Sequence, residues 1–299
     1  MFKTIKLNKV LLTLLLPAVI VIGAGVTNTF AAQEEHQEAP ETKGIPVPII
    51  MYHSITLDND RCGEYVISLD QIEDDIEYLK QKDFTPVFVN DLIRYVNYGG
   101  ELPDKPVILT FDDGFYNNRE YLFGLLKKED YKAVISIVGA YTTDASESGE
   151  RPSAVYSYLS WKDINEMRES GRYEFCDHSY SMHGLDERRG ILKKAGETNE
   201  EYRHALIKDI DGLQILFEKN CGFRPNVFTY PYGFSSPEAE DTIKALGFEA
   251  SLGVEEKPNY MVKNDSECLY GLGRYNRSGL TDTVSFMENM LSDFEKGLK

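Results

Sequence analysis

The chain has 299 residues, 42% of them hydrophobic, which suits one large core and hence one domain. A formal net charge of -17 excludes nucleic acid as an expected partner. The four cysteines, Cys62, Cys176, Cys221 and Cys268, are an even number; they allow three pairings that the sequence does not rank, and a disulfide is not required.

At the N-terminus, Lys3, Lys6 and Lys9 precede the apolar run LLTLLLPAVIVIGAG, and the small residues Thr29, Ala31 and Ala32 follow, the layout of an export signal over residues 1–32. Cleavage after Ala31 or Ala32 would remove three lysines and no acids, taking the net charge from -17 to -20. Left uncut, the run would act as a membrane anchor, although it is shorter than the ~20 residues of a usual span. Either outcome places the working part outside the cytoplasm. Residues 33–45 are polar and acidic and read as a linker, with His36 solvated, and residues 46–299 form the domain.

Short apolar runs predict strands at 47–52, 86–89, 107–111, 133–138, 173–177, 226–230 and 248–252. Helices are expected between them. The clearest begins at Ser68, where Ser68 and Gln71 suit a capping box and Ile72, Ile76 and Leu79 recur at helical spacing. Ser160 with Asp163, and Ser235 ahead of Pro237 and Glu238, mark further starts, and helical stretches run over 199–220 and 280–298. Trp161 belongs to a helix start and reads as packing. This alternation of strand and helix predicts an α/β fold with a parallel barrel, complete or distorted, and chemistry at the C-terminal strand ends.

The segment VILTFDDGF, residues 107–115, is an apolar strand ending in two adjacent carboxylates and a glycine. One carboxylate can ligate a metal while the other handles protons, since neighbours on a strand point apart. A surface turn of Asp-Asp-Gly type would use the same residues. In YEFCDHSYSMHG, residues 173–184, His178 and His183 follow another strand, two of only five histidines in the chain. Two imidazoles with one carboxylate make a facial set suited to zinc or a similar ion. A spacing of five would splay the two rings on a helix, so the segment reads as a loop. Cys176 alternates along the strand and reads as a buried wall residue. His204 falls in a helical stretch and reads as structural or exposed.

These motifs carry a resemblance. PIIMYHSI, TFDDG, the His-Ser-x-x-x-His segment and FTYPYG are similar to the NodB-homology polysaccharide deacetylases, carbohydrate esterase family four, and most to the branch that deacetylates poly-N-acetylglucosamine. The resemblance covers nearly all of the chain after the signal and implies a distorted (β/α)7 barrel as a single catalytic domain. It implies Asp113, His178 and His183 as ligands of one divalent ion, zinc or else cobalt or nickel, and Asp112 as general base. It also implies that the backbone N-H of Tyr232 holds the oxyanion, though Tyr230 to Gly233 would equally build an ordinary turn.

Two family features are missing. Phe228, Thr229 and Tyr230 stand where an arginine usually precedes Pro231, and no histidine occurs after His204. Arg274, expected to follow a late strand, is the substitute for the arginine, against the rival reading of a surface residue. His53 at the end of the first strand is the substitute proton donor, against a core histidine. Tyr141, Tyr180 and Tyr232 are candidates for stacking on sugar rings. The expected activity is removal of N-acetyl groups from a glycan, either poly-N-acetylglucosamine or peptidoglycan, by a monomer. An O-acetyl glycan esterase and a noncatalytic surface glycan-binding domain are the alternatives. A negative field suits a polymer that becomes cationic as its amines are uncovered, and serves solubility as well.

Overall fold

The computed structural model describes residues 44–297. The expected signal and nearly all of the expected linker therefore lie outside the described residues. Ile45, the last residue of the expected linker, opens the first strand. Among the described residues, no helix is long and apolar enough to cross a membrane.

The chain opens with β1 (Ile45–Pro46), β2 (Ile49–Tyr52), β3 (Ser54–Thr56) and β4 (Val66–Ser68). Helix α1 (Leu69–Gln81) then starts on the capping box anticipated at Ser68, where the Gln71 N-H donates to the Ser68 hydroxyl and the Gln71 side chain accepts from the Ser68 N-H. Its Ile72, Ile76 and Leu79 are buried, and such burial stabilises by about 1.5–3 kcal/mol per side chain.

The expected strand at 86–89 is shorter and earlier. Only β5 (Thr85–Pro86) is extended, and α2 (Val89–Asn97) follows directly. The Asp91 carboxylate accepts from the Phe88 N-H at 2.8 Å and sets the helix start. Val89, Leu92, Ile93 and Val96 are then buried along one face. Tertiary burial thus overrides the β-branched character of the run.

Next come β6 (Pro106–Phe111), α3 (Tyr116–Glu129), β7 (Ala133–Ile137), α4 (Gly139–Glu147), α5 (Trp161–Glu169) and β8 (Tyr173–Asp177). Trp161 is indeed packed inside, edge-on to Phe217. The long α6 (Asn199–Cys221) has a Thr198–Glu201 capping box and ends on Gly222 in the left-handed conformation. The remaining elements are β9 (Val227–Thr229), α7 (Pro237–Ala245), β10 (Ala250–Leu252), β11 (Tyr260–Met261), β12 (Tyr275–Asn276) and α8 (Thr283–Gly297). Ser236, not Ser235, caps α7 through the Ala239 N-H. The last helix begins three residues later than expected, where Asp282 accepts from the Ser285 N-H.

The main sheet runs β10-β9-β8-β7-β6-β2-β12, every pair parallel, and β5 joins β6 as a branch. All six residues of β6 and all five of both β7 and β8 are buried, as expected for parallel strands covered on both faces. The sheet is curled: Leu272 pairs with Leu252 at the β10 end, and three residues on Tyr275 pairs with Ile50 of β2. The segment 272–276 therefore links the two ends of the sheet. The seven-strand path agrees with the expected distorted barrel and a single α/β domain.

Candidate active site

Each motif singled out in the sequence falls at one end of this sheet. His53 follows β2, Asp112 and Asp113 follow β6, His178 follows β8 and Tyr232 follows β9. Arg274 is placed differently from expectation: it directly precedes β12 instead of following a strand, and it is fully buried.

The two adjacent acids diverge. The Asp112 N-H donates to the Tyr52 carbonyl at 3.0 Å, which keeps its backbone in register with β2. Asp113 then adopts φ 70° and Gly114 φ 70°, so the chain leaves the strand abruptly. A Cβ on Gly114 would lie 2.9 Å from Ile137 Cγ2, so this exit needs glycine. Ser179 and Tyr232, at φ 69° and 57°, are also in the left-handed region. Three uncommon non-glycine backbones thus gather at one end of the sheet, the pattern of strain held at a working site.

Asp112 is 3% exposed and paired with Arg274 through two parallel bonds, Nη1 to Oδ1 at 2.7 Å and Nη2 to Oδ2 at 2.8 Å. Arg274 is itself fixed by Nε donating to the Gly253 carbonyl at 2.6 Å and Nη1 donating to Thr110 Oγ1 at 3.2 Å. Burial pushes the Asp112 carboxyl up, but the Arg274 charge and hydrogen bonds, with His178 and His53 behind them, hold it well below the usual carboxylate range. Asp112 is therefore ionised at neutral pH.

Asp113 faces the histidines. Its Oδ1 lies 3.1 Å from His183 Nε2 and 3.7 Å from His178 Nε2. Burial raises its pKa, and the His183 hydrogen bond and the neighbouring imidazoles more than reverse this. His178 is displaced downward, first by burial. Its Nδ1 lies 2.8 Å from the Thr229 carbonyl, which can only accept, so the ring proton is on Nδ1 and Nε2 presents a bare lone pair toward Asp113. Two acceptors facing each other without a proton between them fit a cation. The donor atoms of Asp113, His178 and His183 all lie within 4.8 Å of one another, and two imidazoles with one carboxylate suit a borderline divalent ion. Cys176 is buried outside this group, and all four cysteines are free thiols.

His53 is partly buried, edge-on to Tyr65 at 4.9 Å, and its Nδ1 is buried without a protein partner. It shares a cleft of about 1200 Å³ with Asp112, Asp113, His178, His183 and Tyr232. His204 is exposed on α6. Of the three tyrosines singled out, Tyr232 packs on His183 at 4.6 Å between ring centroids, while Tyr141 approaches it edge-on at 6.1 Å. Tyr180 packs against the core instead.

Sequence reasoning passed over three contributors. Asn118 donates to the His53 carbonyl at 2.9 Å, and Asn117 accepts from the Ile55 N-H at 3.0 Å, so α3 holds the loop that carries His53. Tyr158, stacked between Phe115 and Tyr141 at 5.2 and 4.4 Å, had no signal beyond its residue type.

Known proteins resemble this chain in sequence and in fold. The staphylococcal poly-beta-1,6-N-acetyl-D-glucosamine N-deacetylase of Staphylococcus aureus (strain MRSA252) is 27% identical over 202 residues, which are 67% of this chain and 65% of that protein. The chain thus spans about two thirds of that relative's length. The enzyme of the same name from Escherichia coli (strain K12) is 25% identical over 208 residues, 62% of this chain and 30% of its own. Among solved structures, a de-N-acetylase from Aggregatibacter actinomycetemcomitans superposes with a TM-score of 0.67 at 22% identity, covering 82% of this chain and 99% of its own. IcaB from Ammonifex degensii gives 0.65 at 22% identity, covering 83% and 97%. These superpositions speak for the fold. Residues 99–251, which carry both the paired aspartates and the two histidines, match the family described as polysaccharide deacetylase, and the chain belongs to that family.

Proposed function

We propose that this protein is a metal-dependent hydrolase that removes N-acetyl groups from a poly-β-1,6-N-acetylglucosamine polymer outside the cytoplasm. The observation that carries this reading is the divergence of the paired acids, with Asp112 bound twice by Arg274 and Asp113 turned toward two imidazoles. A glycan-binding module would have no use for an ionised, rigidly oriented carboxylate beside such a donor set. The polymer is suggested by the names of the staphylococcal and Escherichia coli relatives.

Asp113, His178 and His183 would hold the ion, with zinc the leading identity and cobalt or nickel as substitutes. When bound, it would polarise the acetamide carbonyl and acidify a nearby water. Asp112 takes the proton from that water as it attacks the carbonyl carbon. Arg274 keeps the carboxylate ionised and oriented, so no reorganisation is needed at the moment of attack. The Tyr232 backbone N-H donates to the oxyanion created by attack. His53 gives a proton to the leaving amine, which departs poorly until protonated. Tyr141 and Tyr232 beside His183 offer apolar faces to a sugar ring.

The test is acetate release from β-1,6-linked N-acetylglucosamine oligomers, peptidoglycan and acetylated xylan, with zinc, cobalt or nickel added and Asp112→Asn as control. Fastest release from the oligomers, abolished in Asp112→Asn with the ion still bound, supports the reading. Release only from xylan makes the protein an O-acetyl esterase, and release from no substrate returns it to a binding module.

A further inference from the structure

The two imidazoles of the proposed metal site are joined by a segment, 178–183, that is neither helix nor strand. Its geometry must come from partners outside it. The His178 N-H continues the sheet by donating to the Ile137 carbonyl at 3.1 Å, and the Ser179 N-H donates to Asp177 Oδ1 at 2.8 Å. Beyond that point one side chain takes over. Asp209, on α6 and 8% exposed, accepts from the Tyr180 N-H at 2.8 Å, the Ser181 N-H at 3.0 Å and the Ser181 hydroxyl at 2.8 Å. Successive N-H groups converging on one anion form a nest, and such charge-assisted bonds are the stronger kind.

The opposite edge of the segment is held as tightly. The Ser179 and Tyr180 carbonyls accept from the Gly139 and Ala140 N-H groups, at 3.0 and 2.8 Å, in the first turn of α4. A Cβ on Gly139 would lie 2.7 Å from Tyr180 Cδ2 and 3.1 Å from Tyr180 Cα, so the segment sits as close to α4 as glycine permits. His183 has few polar restraints of its own: beyond Asp113, its side-chain polar contact is Tyr232 at 3.4 Å, and its ring packs against Tyr232 and Tyr141. The placement of its backbone relative to His178 is set by the segment between them.

We propose that Asp209 is a positioning residue that sets the placement of His183 against His178 and so tunes the affinity of the site for its divalent ion, an inference that rests on the metal-site reading above. Asp209 makes no hydrogen bond or ion pair with any of the three donor residues. All three of its bonds go to residues lying between the histidines, which distinguishes it from a general stabiliser of α6.

The experiment titrates the metal-stripped full chain with Zn²⁺ against a chromophoric chelator, and with Co²⁺ by its visible absorption. Asp209→Asn is expected to bind Zn²⁺ about 10-fold more weakly, the low end of the cost of losing a group bonded directly to a metal ligand because Asp209 acts through the backbone, and to shift the Co²⁺ band. Should that variant fail to fold, Asp209→Glu, which keeps the charge but displaces it by one methylene, carries the same comparison. Wild-type affinity with an unchanged Co²⁺ spectrum in the folded variant overturns the inference. A wild-type protein that binds neither ion, like a His183→Ala control, removes the metal-site reading itself and this inference with it.

Discussion

Arg274 and Asp112 are 162 positions apart in the chain, yet they meet through two parallel hydrogen bonds of 2.7 and 2.8 Å with both side chains buried. The pair joins the end of β6 to the segment 272–276, which links the two ends of the curled sheet. One contact thus serves the barrel and the proposed base together.

Arg274→Met leaves the Asp112 carboxylate buried and uncompensated. Breaking such a pair costs about 3–5 kcal/mol of stability. The wild-type pKa is depressed, so the stabilisation from the pair is complete above the unfolded value of about 3.9 and is lost as pH falls toward the folded one. In the variant, burial is opposed only by His178 and His53, and the pKa rises from its wild-type position. The acid limb of the rate of acetate release should accordingly move to higher pH. An unmoved limb would separate Arg274 from the state of the base.

His53→Ala should lower turnover of N-acetyl substrates by about 10²–10⁴-fold, the usual contribution of a positioned acid or base. On O-acetyl substrates the fall should be smaller, because an alkoxide leaves more readily than an amide anion. The measurement is acetate release from matched amide and ester substrates, and equal losses on both would strip His53 of the proton-donor role.

Asp113→Ala and His183→Ala should each lose the divalent ion, read by elemental analysis of purified protein. Asp112→Asn should keep it, since Asp112 points to Arg274 and not to the histidines. Full metal content in both Asp113→Ala and His183→Ala would sink the proposed ligand set.

Much of the fold was legible because the relevant forces are local. The strand at 173–177 was placed to the residue, and the Ser68 and Ser160 caps formed as their spacing indicated. The run from Pro86 to Val89 misled because a short β-branched stretch suits a strand or a buried helix start, and the Asp91 bond to the Phe88 N-H together with the burial of Leu92, Ile93 and Val96 decides for the helix. The residues of the candidate site other than Arg274 were visible as motifs at strand ends. Their mutual arrangement was not: the bidentate grip of Arg274 and the three bonds of Asp209 are set by the curl of the sheet and the packing of α6, which no local spacing encodes.

Glu174 gives a prediction away from the chemistry. It lies on β8, 9% exposed, with Oε2 accepting from the Asn90 N-H at 3.2 Å and Oε1 lacking a protein partner. Burial pushes its pKa up to about 8, against an ordinary value of 4.5; the Asn90 N-H resists this and Asp91 adds to it. The folded state therefore keeps a proton that the unfolded chain releases, and stability falls as pH rises between these two values. The slope is about 1.4 kcal/mol per pH unit for one proton. Glu174→Gln mimics the protonated carboxyl at every pH and removes that slope. Its stability relative to wild type, from urea unfolding, should improve by roughly 3–4 kcal/mol between pH 5 and pH 8 and level off above that. A difference between the two proteins that stays constant from pH 5 to pH 8 would show that Glu174 is ionised in the folded state throughout, with a cation or water satisfying Oε1.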